Sequence, residues 1–134
     1  MIFERMIQIG GIFYLILAIF HLFYPRLFRW KSNLEGLEVK RRYVIKQNLY
    51  VSNASMFVLW LFFSFLSLFY ARELLLTSIG KGILIGIVVF WIIRIFVIQP
   101  IYIGIKTEES IIRGLFFIVG AAFYLIPLVS LIAA

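Results

Sequence analysis

The chain has 134 residues, 64% of them hydrophobic, with a mean hydropathy of +1.08, where a soluble domain is roughly half apolar. It has no cysteine, so structural disulfides, thiolate metal sites and thiol–disulfide chemistry are excluded. The net charge is +7, and the basic residues flank hydrophobic runs, which points to anionic headgroups and not to nucleic acid.

A spanning helix needs about 20 mostly apolar residues. Four stretches satisfy this, at about 7–25, 49–70, 82–105 and 111–134. Hydrocarbon leaves no water for backbone groups, so these stretches must be helices, and no alternation of period two suggests a barrel. The expectation is one all-α domain over 1–134: an integral membrane antiparallel four-helix bundle with a basic amphipathic segment between helices 1 and 2. The first stretch is not read as a cleavable signal, because Glu4 and Arg5 precede it and no small-x-small cleavage site follows. The repeat-like endings "HLFYP" and "FVIQP" of spans one and three are too short to establish duplication.

Between spans one and two stand Arg26, Arg29, Lys31, Lys40, Arg41, Arg42 and Lys46. In the same segment Leu27, Trp30, Leu34 and Leu37 recur at steps of three and four, a helical apolar stripe. Ser32 and Glu35 have capping-box spacing. Two arrangements fit: an interfacial helix on the inner leaflet anchored by Trp30, or an extension of the second span starting near Asn33. The eight residues Trp30, Arg26, Arg29, Lys31, Lys40, Arg41, Arg42 and Lys46 are the candidate membrane-surface set. The connection "KTEES" before span four reads as a helix start, with Thr107 as N-cap and Glu108 and Glu109 at the positive end of the helix dipole.

Away from the first residues of the spans, where Gln8 and Arg113 stand, the large polar side chains are His21, Asn53, Arg94 and Gln99, and no span contains Asp or Glu. At about 1.5 Å per residue, His21 lies about 7 Å, Asn53 about 10 Å and Gln99 about 9 Å from the midplane on one side, with Arg94 close to the midplane. On span one, Gly11, Tyr14, Ala18 and His21 share a face; on span two, Asn53 shares one with Met56 and Trp60. On span three, Gly82, Gly86, Phe90 and Arg94 recur every fourth residue and suggest a packing face. A central arginine costs about 3 to more than 10 kcal/mol and cannot deprotonate. It therefore needs Asn53, Gln99, Tyr14, Tyr124, backbone carbonyls freed by a kink at Gln99–Pro100, water or an external anion. The candidate ligand-binding set is Arg94, His21, Asn53, Gln99, Tyr14 and Trp91.

No phosphate loop, paired carboxylates or His/Asp/Glu cluster of metal spacing is present in the sequence. A proton- or cation-coupled transporter would want an intramembrane acid. His21 could serve as a haem ligand; a six-coordinate site needs two and the chain has one histidine, so a homodimer would supply the second or a single ligand would suffice. The expected function is non-enzymatic: a polar pocket in the cytoplasmic half of the bundle that binds an anionic lipid or small anion, to move or sense it. Two alternatives stand beside it. One is a structural subunit of a homo-oligomer or larger membrane complex, with Arg94 meeting a partner's acid. The other is a small membrane enzyme or redox subunit using His21.

Basic residues set orientation. The side holding the long segment, Lys106 and Arg113 carries nine, against Arg5, Arg72 and Lys81 on the other. Both termini are therefore expected outside, in the periplasm for a bacterium. A topology reporter fused after Ala134 should be active only on the outer side; activity confined to the cytoplasm would reverse the assignment.

Overall fold

The computed structural model describes the backbone of residues 2–103 and 108–133, with the side chains of 99–103 and 108–110 left out. It is 94% helical, with no strand among the described residues. Helix α1 spans Ile2–Leu27, α2 Trp30–Glu35, α3 Val39–Phe69, α4 Ala71–Leu76, α5 Ser78–Ile93 and α6 Glu108–Ala133; α5 continues into a π-helical segment, Arg94–Ile103. α1, α3, α5 with its extension, and α6 are each long and apolar enough to cross a membrane. This is an all-α, multi-pass membrane bundle. Outward side chains such as Ile12, Phe20, Phe62 and Ile118 are about half exposed, a surface suited to lipid and not to water.

α1 is the axis of the bundle. Of its most apolar window 44% is buried, against 17–28% for the other three spans. Its inner face, Gly10, Gly11, Tyr14, Ala18 and His21, is the small-and-polar face expected from the sequence. Small residues let α3 and α6 come close: a Cβ on Gly11 would press on Ser67 and Leu68, and one on Gly10 on the Tyr124 ring. α1 packs on both α3 and α6, and α6 packs on α5. The backbones of α3 and α5 barely approach; Trp60 and Phe63 reach across to Phe90, with centroids at 5.4 and 6.1 Å.

The glycine stripe of the third span does not face the bundle. Gly82 and Gly86 are exposed, with nothing within 4 Å of a Cβ placed on either. The reason is geometric. A strict four-residue repeat advances about 40° per step on a helix of 3.6 residues per turn, so the stripe turns about 120° between Gly82 and Arg94. The buried face of α5 is Gly80, Leu84, Ile87, Val88 and Trp91.

The basic segment combines parts of both expected arrangements. α1 runs through Pro25 to Leu27, and the chain turns at Arg29, whose φ of 46° and ψ of 44° are left-handed. Ser32 Oγ donates to the Arg29 carbonyl and Asn33 Nδ2 to the Phe28 carbonyl, at 3.1 and 3.0 Å. Ser32 thus caps nothing with Glu35: α2 already starts at Trp30. α2 lies against an N-terminal extension of α3 that begins at Val39, not Asn33. Leu34 is buried and Trp30 packs edge-on against Tyr50 at 5.3 Å, whereas Leu27 is 55% exposed. The apolar stripe is divided between protein and surroundings and does not lie as one face on a leaflet. Arg42, expected at the membrane surface, donates to the Glu35 and Leu37 carbonyls and so closes the end of α2. The N-cap expected at Thr107 lies outside the described residues.

α4 was not expected from the sequence. Ala71, Leu74 and Leu75 of this single short turn are buried. Thr77, in extended conformation, then caps α5 by accepting from the Gly80 N–H at 2.9 Å. Gly80 is the tightest point of the elbow, because a Cβ there would collide with the Glu73 carbonyl and lie 2.7 Å from the Leu74 Cα. Gly80→Ala should therefore cost about 1–3 kcal/mol. Gly86→Ala should be neutral or stabilising by up to about 1 kcal/mol. Unfolding in mixed micelles compares the two directly, and equal effects would contradict the elbow packing.

Candidate functional site

The gap between α3 and α5 is the starting point. At the centre of the bundle it is filled by stacked rings. Tyr14 lies against Trp60 at 5.3 Å and 23°, and against Trp91 at 5.9 Å and 19°. Trp91 Nε1 donates to the Tyr14 hydroxyl at 2.7 Å. On the α4 side of this stack, Ser67 Oγ and the Tyr124 hydroxyl are 2.8 Å apart. Tyr14, Trp91 and Tyr124 are each 0% exposed. Toward the side of the basic segment the filling runs out. There a cavity of about 150 Å³ is walled by Leu17, His21 and Tyr24 of α1 and by Met56 and Trp60 of α3. Phe90, Arg94 and Ile98 of the third span and Phe117 of α6 complete the wall.

His21 enters this wall through a local necessity. Pro25 has no N–H, so the carbonyl four residues earlier, that of His21, loses its helical partner. Asn53 Nδ2 donates to that carbonyl at 2.8 Å. The same amide's Oδ1 lies 2.9 Å from His21 Nδ1. An amide oxygen only accepts, so Nδ1 carries the proton and Nε2 of the neutral ring is left as an acceptor. The ring stacks on Tyr24 at 4.2 Å. The Asn53 clasp thus satisfies a proline-broken turn, joins α1 to α3 and fixes one tautomer of the histidine.

Arg94 is half-buried at the start of the π-helical segment. Pro100 supplies the cause of the irregular turn, since it can donate no hydrogen bond and its ring crowds the preceding turn. The Arg94 guanidinium carbon lies 5.0 Å from the centroid of the Phe117 ring. Such a contact contributes about 0.5–2 kcal/mol, less than the minimum of about 3 kcal/mol for a central arginine. Among the described residues the single ion pair is Arg41–Glu38 at 3.8 Å, on the surface. Trp60 Nε1 is buried without a hydrogen-bond partner among the described residues. The cavity wall thus holds a cation, an imidazole and an indole that belongs to an unpaired N–H.

Of the six residues expected to form a ligand site, His21 and Arg94 share this wall, and Asn53 stands behind His21. Tyr14 and Trp91 do not line it; they are hydrogen-bonded to each other in the core. Tyr14 and Tyr124 have Trp91 and Ser67 as hydrogen-bond partners, where the sequence had offered them to Arg94. The side chain of Gln99 lies outside the described residues. Sequence reasoning missed Tyr24, Trp60 and Phe117 as wall residues. The signal for one was present: the face of Asn53, Met56 and Trp60 continues through Ser64 and Ser67, both buried. At about 150 Å³ the cavity is smaller than the 300 Å³ or so at which small-molecule sites usually begin.

The chain matches no protein-family model, and neither the curated proteins nor the solved structures contain a match to it. The class defined by fold and site is a small four-span membrane bundle with a cation in the wall of a mostly apolar cavity.

Asn53→Leu removes both bonds of the clasp and leaves the His21 carbonyl unpaired. It should destabilise the fold by about 1–3 kcal/mol. Ser55→Ala, which deletes only an exposed bond to the Val51 carbonyl, should fall within about 0.5 kcal/mol. Denaturant titration in detergent measures both; a neutral Asn53→Leu would contradict the clasp.

Proposed function

We propose that this protein is a non-enzymatic integral membrane protein that binds an anionic lipid or small anion at Arg94, to move it or to sense it. The observation that carries the reading is a guanidinium in the wall of a partly enclosed cavity, whose aromatic contact is too weak to offset its burial. An anion reaching it would form charge-assisted hydrogen bonds, which are about twice as strong as neutral ones. The tautomer fixed by Asn53 leaves His21 Nε2 as an acceptor, so on this wall it is Arg94 that would meet the anion. With the orientation favoured by the basic residues, the cavity lies in the cytoplasmic half of the bundle and both termini lie outside. In a bacterium this would be the cytoplasmic membrane.

A second reading has an observation of its own. Gly82 and Gly86 leave an open small-residue strip on the outer face of α5, of the kind that lets another helix approach. A homo-oligomer or larger membrane complex would use that strip, independently of the cavity.

Native mass spectrometry of protein released from phosphatidylglycerol-containing membranes tests the main reading. Wild type should retain about one phosphatidylglycerol or phosphate, and Arg94→Gln should fold yet lose it. If neither form retains an anion, and Arg94→Leu is as stable as wild type or more so, the arginine is structural and the reading fails.

A further inference from the structure

The cavity has a neighbour. On the outer face between α1 and α6 runs a groove of about 460 Å³, lined by Ile16 and Phe20 on α1, by Phe28 just after it, and by Ile112, Arg113 and Phe116 on α6. Leu17, Tyr24 and Phe117 line both spaces. Phe117, on which the Arg94 guanidinium rests, is thus part of the partition between cavity and groove.

The groove is polar at one end only. Ile16, Leu17, Phe116 and Phe117 lie deep in their helices; Phe28, Ile112 and Arg113 lie near the ends of α1 and α6 that face the basic segment. From Ile16 to Phe28 the rise is about 18 Å, against about 15 Å for one leaflet of hydrocarbon. Arg113 lines the groove and Arg94 the cavity, and Phe117, on which Arg94 rests, lines both. Two cations on either side of one ring favour a shared anion.

We infer that this groove seats one acyl chain of an anionic glycerophospholipid, whose phosphate lies between Arg113 and Arg94 and reaches the cavity past Tyr24 and Phe117. This rests on the anion-binding reading of Arg94 and adds to it the ligand class and the route: sideways from the leaflet, not from the aqueous phase. Two features match a lipid and not a free anion: the apolar deep half and a length of one leaflet; the cation at the interfacial end suits both. A free phosphate would need Arg94 and Arg113 but would gain nothing from Ile16, Phe20 or Phe116.

The test uses the full chain reconstituted with phosphatidylglycerol carrying a diazirine on its acyl chain. Crosslinks should concentrate on the peptides 16–28 and 112–117. Arg113→Gln and the groove-filling Ile112→Trp should each lower the retained phosphatidylglycerol about tenfold or more, and glycerol 3-phosphate should not displace the lipid. Crosslinks spread evenly over the outer faces of all four spans would overturn the inference in the wild-type protein, whatever the variants do. So would complete displacement by an equal concentration of glycerol 3-phosphate, which would mark the headgroup as the whole ligand. If Arg94→Gln loses the anion while Arg113→Gln and Ile112→Trp keep it, the cavity reading stands and the groove fails. If wild type retains no phosphatidylglycerol, both fail.

Discussion

A polar side chain in hydrocarbon has no water to bond, so each one must find its partner on another helix or on its own backbone. The interior of this bundle follows from that constraint. Pro25 breaks one turn of α1, and Asn53 of α3 is spent on the carbonyl that the break exposes. Ser67 of α3 meets Tyr124 of α6, and Trp91 of α5 meets Tyr14 of α1. Three contacts tie all four spans, and each contributes only about 0.6 to 1.7 kcal/mol in a membrane. Their value is in direction: they decide which face of each helix turns inward. Close packing then follows where glycine allows it, at Gly10 and Gly11 of α1.

Among the described residues, Arg94 has an aromatic ring beside it and no ion-pair partner. The large rings that bridge α3 and α5 hold those helices apart, so a space opens wherever the rings stop. Arg94 borders that space because the helix of which it is part turns steadily past its own four-residue repeat and then widens ahead of Pro100. The cation is held over Phe117 in the cavity wall, and Arg113 lines the groove that shares that ring. On the proposed reading, the cost of burying the charge becomes affinity for an anion.

The spans were legible in the sequence because 20-residue apolar runs have one solution in a bilayer. The inner face of α1 was legible for a related reason: Gly11, Tyr14, Ala18 and His21 follow the true helical period. The stripe Gly82–Gly86–Phe90–Arg94 follows a period of four, which drifts, and its first half faces outward. The depth of Arg94 could be counted along the chain, but its neighbours could not, since Phe117 and Tyr24 carry no polar signal. Tyr14 and Trp91 were expected beside a ligand because they are amphipathic; their polar tips bond each other instead. α4 is six residues long, too short for a periodic pattern, and Arg42 became a backbone cap through a turn that no residue type announces.

The central claim is that Arg94 meets an anion. The most direct measurement is the ¹⁵N–³¹P dipolar coupling between the Arg94 guanidinium and lipid phosphate, by solid-state NMR in phosphatidylglycerol bilayers. A phosphate oxygen at a charge-assisted hydrogen-bond distance of about 2.8 Å would give a strong coupling that disappears in Arg94→Gln, and that is the result predicted. A spectrum in which the exposed Arg26 and Arg29 couple to phosphorus while Arg94 does not would contradict the account.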